Sequence, residues 1–534
     1  MKPSPRPEAA TFALYTSGGK PAVFGSVSNP GSTQWEDLLT DKHDYPRVPH
    51  TGAIIKSLRT LSGTTPVFLS EYGIGSAVDL WRVTRNFERL GKAEAEDAQF
   101  YRNLLNRYLA DWQRWKLDEL FARPEDFFAA SVRKMADQRT LGLNAIRSNP
   151  KIIGYSLTGM NDHVSCGEGL TTTFRDLKPG TVDALFEGFA PLRWCLFAEP
   201  VNIYRGSNVR LEAVLADEDA LLPGDYPALV QVIGPDNLRV FERKVTLTIP
   251  APKEGVQPPL AFPVFTEEIP IDGPAGKYRL LATLEKGGAP TGGEIEFYLD
   301  DPATLPPVET EVVLWGEDTP TVTWLAAHQI KTRPFTVDEQ KTREVILIGA
   351  RPPDNPAPAF IALSQHIARG STAIFLSPQV FKKGNDKAGD VGWLPLANKG
   401  SLTSIVGWLY LKDEWAKRHP IFEGLPAGGL MDYTFYREII PDALFVGQER
   451  PREAVAGAIK ASQDYSSGLL VTVNDLGAGR FILNTLRVRE NLGSHPAADR
   501  LLNNLLRFAA GERQKPLVDL PAGFEAQLKS IGYR

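Results

Sequence analysis

The hydrophobic period of this chain changes twice along its length. Up to about residue 200, and again from about 308 to 514, short continuous apolar runs ending in glycine alternate with long amphipathic stretches. From about 201 to 300 the runs are short and apolar residues alternate with polar ones. A continuous apolar run of strand length belongs to a strand covered on both faces. Strict alternation belongs to a strand with one wet face, and apolar positions three and four apart belong to a helix. The pattern therefore predicts α/β architecture at both ends and an all-β unit between them.

In the first region, "PEDFFAASVRKMADQRTLGLNAIRSN" opens with Pro124, Glu125 and Asp126, residues suited to a helix first turn, and continues with helical spacing. Residues 96–121 behave in the same way, and "KIIGYSLTG" follows as a strand. Runs such as "VNIYRGSNVRLEAVLA", "PALVQVIG", "RVFERKVTLTIP", "GKYRLLATLE" and "GEIEFYLD" predict a β-sandwich of immunoglobulin-like size over 201–300. "DDPATLPP" reads as a linker, and 515–534 as a tail. Between them "EVVLWG", "REVILIGA", "STAIFLSP" and "RFILNTL" predict strands and "TPTVTWLAAHQI", "AFIALSQHIARG" and "AADRLLNNLLRFAAG" helices, which together predict a flavodoxin-like open parallel sheet over 308–514.

A chain of 534 residues is too long for one hydrophobic core, and about three or four domains is the expectation. The net charge of −5 carries no broad basic field and argues against a nucleic-acid partner. The ten Trp and fifteen Tyr suit carbohydrate stacking and serve equally well as core and interface aromatics. Cys166 and Cys195 offer neither a disulfide framework nor a metal-knuckle spacing, and Cys195 in "LRWCLF" is expected on a buried apolar face. The N-terminus lacks the apolar segment of a signal peptide, and no run of about 18 apolar residues occurs, so no membrane span is expected. On its face the chain is cytoplasmic; it is periplasmic or secreted if Met1 is not the natural start.

Three successive strand ends deliver polar residues to one rim. "PVFLSEYG" sends Glu71 and Tyr72 off an apolar run. "LLTDKHDYPRVPH" places Asp41, His43, Asp44 and Tyr45 after another, and "GYSLTGMNDHVSCGEG" places Asn161, Asp162 and His163 after a third. The C-terminal ends of barrel strands are where barrel enzymes hold their sites.

On these motifs residues 20–200 resemble the C-terminal part of the catalytic (β/α)8 barrel of glycoside hydrolase family 2, the β-galactosidases, β-glucuronidases and β-mannosidases. The resemblance implies a partial barrel and gives Glu71, in "FLSEYG", the role of nucleophile in retaining hydrolysis of a β-glycoside. It makes Tyr45, then His43, the group beside the nucleophile, with Tyr72, Asn161 and Asp162 as further sugar-binding candidates. Thr158 or a neighbour stands where the family often has a Trp, and "TTTFRDLKPG" resembles the stretch after the eighth strand. A retaining hydrolase needs a second carboxylate about 5 Å from the first. In this family that acid/base is the Glu of an Asn-Glu pair upstream, and no Asn-Glu dipeptide occurs here. Glu36 is the substitute candidate.

The third region resembles the class I glutamine-amidotransferase-like domains appended to some glycosidases. Both cysteines precede residue 200 and no nucleophile elbow is present, so that domain is expected to be non-catalytic. His328, His366, His419 and His495 are scattered without metal-ligand spacing and are expected to be structural, and "LGAGRF" precedes a strand and is not a phosphate loop. Neither a cofactor nor a metal is called for. Three functions remain open: a hydrolase completed by another chain, an upstream half or a second copy; a non-catalytic carbohydrate-binding or assembly protein; and a truncated product without independent function.

Overall fold

The computed structural model describes residues 40–533 apart from 164–165, 252, 254–258, 339, 355, 382–390 and 406–411. The expectations for residues 1–39, Glu36 among them, lie outside the described residues.

The first region is built on three parallel strands in consecutive order: β1 (Thr40–Asp44), β2 (Val67–Tyr72) and β3 (Ile152–Leu157). Helix α1 (Gly52–Thr60) joins β1 to β2, and its N-cap Thr51 accepts from the Ile54 N–H. Three helices join β2 to β3: α2 (Leu80–Arg89), α3 (Glu96–Trp115) and α4 (Pro124–Arg147). As its first turn predicts, α4 starts on Pro124, and Asp126 accepts from the Arg123 N–H. Val67, Leu69 and Ile152 pack with Ile55, Leu58, Met135, Leu143 and Ile146 from α1 and α4. Helix α5 (Thr181–Gly188) follows β3 and leaves Val182, Phe186 and, just past its end, Phe189 exposed as one stripe. Among the described residues β1 and β3 are the edges of this sheet.

The second region is a sandwich, and it begins earlier than residue 201. Strand β4 (Leu192–Glu199) belongs to it, with β5 (Asn202–Tyr204), β6 (Asn208–Asp217), β7 (Gly224–Ile233), β8 (Arg239–Ile249), β9 (Ala261–Pro270), β10 (Gly276–Leu284) and β11 (Glu294–Asp300). One sheet runs β4-β6-β9 and the other β5-β11-β10-β7-β8. Trp194 and Leu196 of β4 enter the sandwich core, whereas Cys195 and Phe197 enter the core of the first region. Being buried on both faces, β4 has no alternation to announce it.

The third region holds an 11-stranded sheet. Its strands are β12 (Val312–Trp315), β13 (Thr332–Pro334), β14 (Val345–Ile348), β15 (Thr372–Phe375), β16 (Ser401–Ser404), β17 (Asp413–Ala416), β18 (Gly429–Leu430), β19 (Ala443–Val446), β20 (Glu453–Ser462), β21 (Asp464–Leu476) and β22 (Gly479–Asn484). The main path runs β13-β12-β14-β15-β22-β21-β20-β17-β18, with β16 and β19 attached at β21. Pairings from β13 to β22 are parallel and those beyond β22 are antiparallel, so the sheet is mixed where an open parallel one was expected. The parallel half has the doubly wound order 2-1-3-4-5. Helices α6 (Thr319–Ala327) and α7 (Pro356–Ala368) connect its strands, α8 (Tyr433–Tyr436) is a single turn, and α9 (Pro496–Ala510) packs on β14 and β15. "LGAGRF" forms the β21–β22 hairpin turn, with Gly477 at φ +60°.

Residues 515–533, expected as part of a tail, are not one. Helix α10 (Phe524–Ser530) buries Phe524 and Leu528 against the α7 side of the sheet, and Tyr533 packs near Phe360 and Trp393. The four histidines of the region have structural contacts: His366 with Glu344, His419 with Glu453, His328 with the Trp324 carbonyl, and His495 as the N-cap of α9. No described helix is long and apolar enough to cross a membrane.

Candidate functional site

The register of the three-stranded sheet assembles the site. A bulge between Lys42 and His43 brings His43 opposite Glu71, and Asp44 opposite Tyr72. Neighbouring parallel strands present register partners on the same face. His43 Nδ1 therefore lies 3.5 Å from Glu71 Oε2. The Tyr45 hydroxyl donates to the same oxygen and stands 3.2 Å from Thr158 Oγ1, at the end of β3. Burial, and then the hydrogen bond to Glu71, push the Tyr45 phenol well above its usual range, so it stays a donor. Glu71 and His43 are partly open to solvent, at 28% and 22% side-chain exposure. A carboxylate at the end of the central strand, oriented by a phenol and an imidazole and open on one side, can act as nucleophile or base, or can bind a hydroxylated ligand.

Three candidate residues, Tyr72, Asp162 and Asn161, make no side-chain hydrogen bond or ion pair with this cluster among the described residues. Tyr72, next to Glu71, turns the other way into the helix layer and is fully buried. Its hydroxyl occupies the place where a Cβ on Gly142 of α4 would sit, 1.7 Å from that position, so only glycine fits there. Asp162 is also buried: it pairs with Lys178 Nζ at 2.6 Å and accepts from the Gly169 N–H at 2.9 Å. Neither side chain faces a ligand. Asn161 is half-buried and accepts from the Thr171 hydroxyl at 2.6 Å.

Glu168, in the loop after β3, is a carboxylate that sequence reasoning passed over. Burial raises its pKa, and the nearby charges of Asp162 and Glu71 raise it further, against His163, whose Nε2 lies 3.2 Å away. Its side chain is only 3% exposed beneath His163, close enough to feel the Glu71 charge but with little surface of its own open to solvent. Burial likewise pushes the neighbouring Cys166 thiol up to about 11. The spacing His163-x-x-Cys166-x-Glu168 was the available signal. A cavity of about 500 Å³ lies elsewhere, between α4, β4 and the sandwich, lined among others by Arg133, Asp137, Glu187 and Arg437; no residue of the Glu71 cluster lines it.

No family model matches the chain. No curated protein matches it either. Among solved structures, the CARDB domain of a Pyrococcus furiosus protein, in complex with di-metal ions, is 13% identical, over 21% of this chain and 86% of that one, at a TM-score of 0.16. Salmonella α2-macroglobulin is 18% identical over 23% of this chain and 8% of its own, at 0.15. A β-glucosidase from Listeria innocua, in complex with isofagomine, is 11% identical over 21% and 16%, also at 0.15. Scores of this size establish no shared fold.

Proposed function

We propose that Glu71 is the nucleophile of a retaining β-glycosidase-type site. The observation that carries this is the carboxylate at the end of the central parallel strand, held on one oxygen by Tyr45 and His43 and open to solvent. In the first half-reaction a Glu71 oxygen bonds to the anomeric carbon while the bond from that carbon to the leaving oxygen breaks. Tyr45, kept protonated, orients the attacking group. No described carboxylate other than Glu71 both stands in this cluster and is open to a ligand, so a poor leaving group would depart unprotonated and slowly. On this reading the acid comes from a complementing half or from Glu36, outside the described residues; among the described residues the β1 and β3 edges and the exposed stripe on α5 are free faces. The same shortage supports the second reading, a carbohydrate-binding or assembly protein that keeps the fold without turnover.

A 2-deoxy-2-fluoro glycoside with a dinitrophenolate leaving group needs no acid and tests the assignment directly. Intact-mass and peptide mapping are expected to place the glycosyl adduct on Glu71, and Glu71→Gln to form none. An adduct on another residue, or none across glucosyl, galactosyl, mannosyl and glucuronosyl probes, overturns it.

A further inference from the structure

The loop after β3 brings three different donor atoms together beside the Glu71 cluster. His163 and Cys166 pair through their backbones, Cys166 N–H to the His163 carbonyl at 2.7 Å and the reverse bond at 3.3 Å. Residues paired in this antiparallel way present their side chains on one side. One ligand atom from each of His163, Cys166 and Glu168 lies within 4.8 Å of the other two, and His163 Nε2 is 3.2 Å from Glu168 Oε1. The thiol and the carboxylate are buried, and the imidazole lies 64% exposed on the solvent side.

The two buried cations nearby are turned to other groups. Lys178 Nζ is held by Asp162 at 2.6 Å, the Gly167 carbonyl at 2.9 Å and Ser76 Oγ at 3.2 Å. Arg139 Nη2 donates to the carbonyls of Ile74 and Glu168, both at 3.1 Å. Among the described residues, the basic group within ion-pair distance of the Glu168 carboxylate is His163.

We infer that His163, Cys166 and Glu168 form a three-ligand site for a divalent transition cation of the zinc class, with a fourth coordination position open toward solvent next to Glu71. A nitrogen, sulfur and oxygen set suits a borderline-soft ion, whereas Mg²⁺ and Ca²⁺ take oxygen ligands. Bonds of about 2.0–2.3 Å in tetrahedral geometry put ligand atoms roughly 3.3–3.7 Å apart. The imidazole–carboxylate separation of 3.2 Å already has nearly that size, and all three ligand atoms lie within 4.8 Å of one another, so closing on an ion asks for a shift of roughly 1 Å. The site is independent of the role given to Glu71, since none of its ligands belongs to the proposed nucleophile cluster.

The test uses the full chain, stripped with a chelator and titrated with Co²⁺ alone. One equivalent is expected to produce thiolate-to-cobalt charge transfer in the near ultraviolet together with the strong visible bands of a tetrahedral ion, and one equivalent of Zn²⁺ to abolish both. His163→Ala, on the exposed side, is expected to weaken binding by more than ~100-fold, since loss of a supporting residue alone accounts for ~10–100-fold. Cys166→Ser is expected to remove the charge-transfer band while circular dichroism stays unchanged, and Glu71→Gln to keep it in full. The inference is overturned if no charge-transfer band forms, if the band survives in Cys166→Ser, or if His163→Ala binds Co²⁺ as the unaltered chain does.

Discussion

At the scale of single residues, one position separates a site from a core. Glu71 and Tyr72 are neighbours in sequence, yet strand alternation sends the first to the rim and the second into α4 against Gly142. The motif "SEYG" shows two polar groups at a strand end and does not show which face each takes. Asp162 likewise resembles a rim residue until Lys178, sixteen positions on, is seen to neutralise it. Tyr45 is the residue whose loss is most informative. A hydrogen bond to a charged group contributes about 1.5–3 kcal/mol. Tyr45→Phe is therefore expected to slow formation of the Glu71 adduct by roughly 10–100-fold, read from the rate of label incorporation, without moving the adduct elsewhere.

At the scale of elements, the continuous apolar runs of β12, β14, β15 and β22 mark the parallel half of the third sheet, and none of them announces the antiparallel half beyond β22. They report burial on both faces, and β20 and β21 are so buried because α3 and its neighbours cover them: Tyr101, Tyr108 and Trp112 pack with Ile459, Ala461, Tyr465 and Leu469. Strand β4 escaped detection as a sandwich strand for the same reason. Helix ends were legible where capping is local, as at Pro124, and α9 adds a titratable cap. His495 Nδ1 accepts from the Ala497 N–H, which requires the neutral ring, and burial lowers its pKa to about 4 from the usual 6.5. His50 is buried and lowered to about 4 as well. Above pH 6.5 both rings are neutral in either state and stability is flat. As pH falls toward 4 the unfolded chain takes up protons that the folded chain refuses, which costs roughly 1.4 kcal/mol per pH unit for each ring. His495→Asn keeps a cap acceptor and does not titrate. It is expected to halve the part of the acid slope due to these two rings between pH 6.5 and 4.5, measured by urea unfolding; an unchanged slope would exclude His495 as a source.

At the scale of the whole molecule, the three regions share cores. One cluster runs from Val67 and Leu69 through Cys195 and Phe197 to Leu470 and Leu502. Lys134 on α4 and Asp413 on β17 form a buried ion pair across the first and third regions. Removing one partner of such a pair costs about 3–5 kcal/mol, because the other charge stays buried. Asp413→Ala is thus expected to lower the melting temperature of the first and third regions together, in a single calorimetric transition. Two separate transitions, only one of them shifted, would show that the shared core does not couple them.

The sequence by itself determined the long helices α3 and α4, most strands of the sandwich and of the parallel half of the third sheet, the α/β–β–α/β order of textures, and the polar rim holding His43, Tyr45 and Glu71, because periodicity, caps and strand-end residues are local signals. Only the tertiary structure decided that Tyr72 and Asp162 face inward, that the third sheet turns antiparallel beyond β22, that the last residues form a packed helix, and that His163, Cys166 and Glu168 converge beside Glu71. Each of those outcomes depends on which surface covers which, and that is set by contacts between residues far apart in the chain.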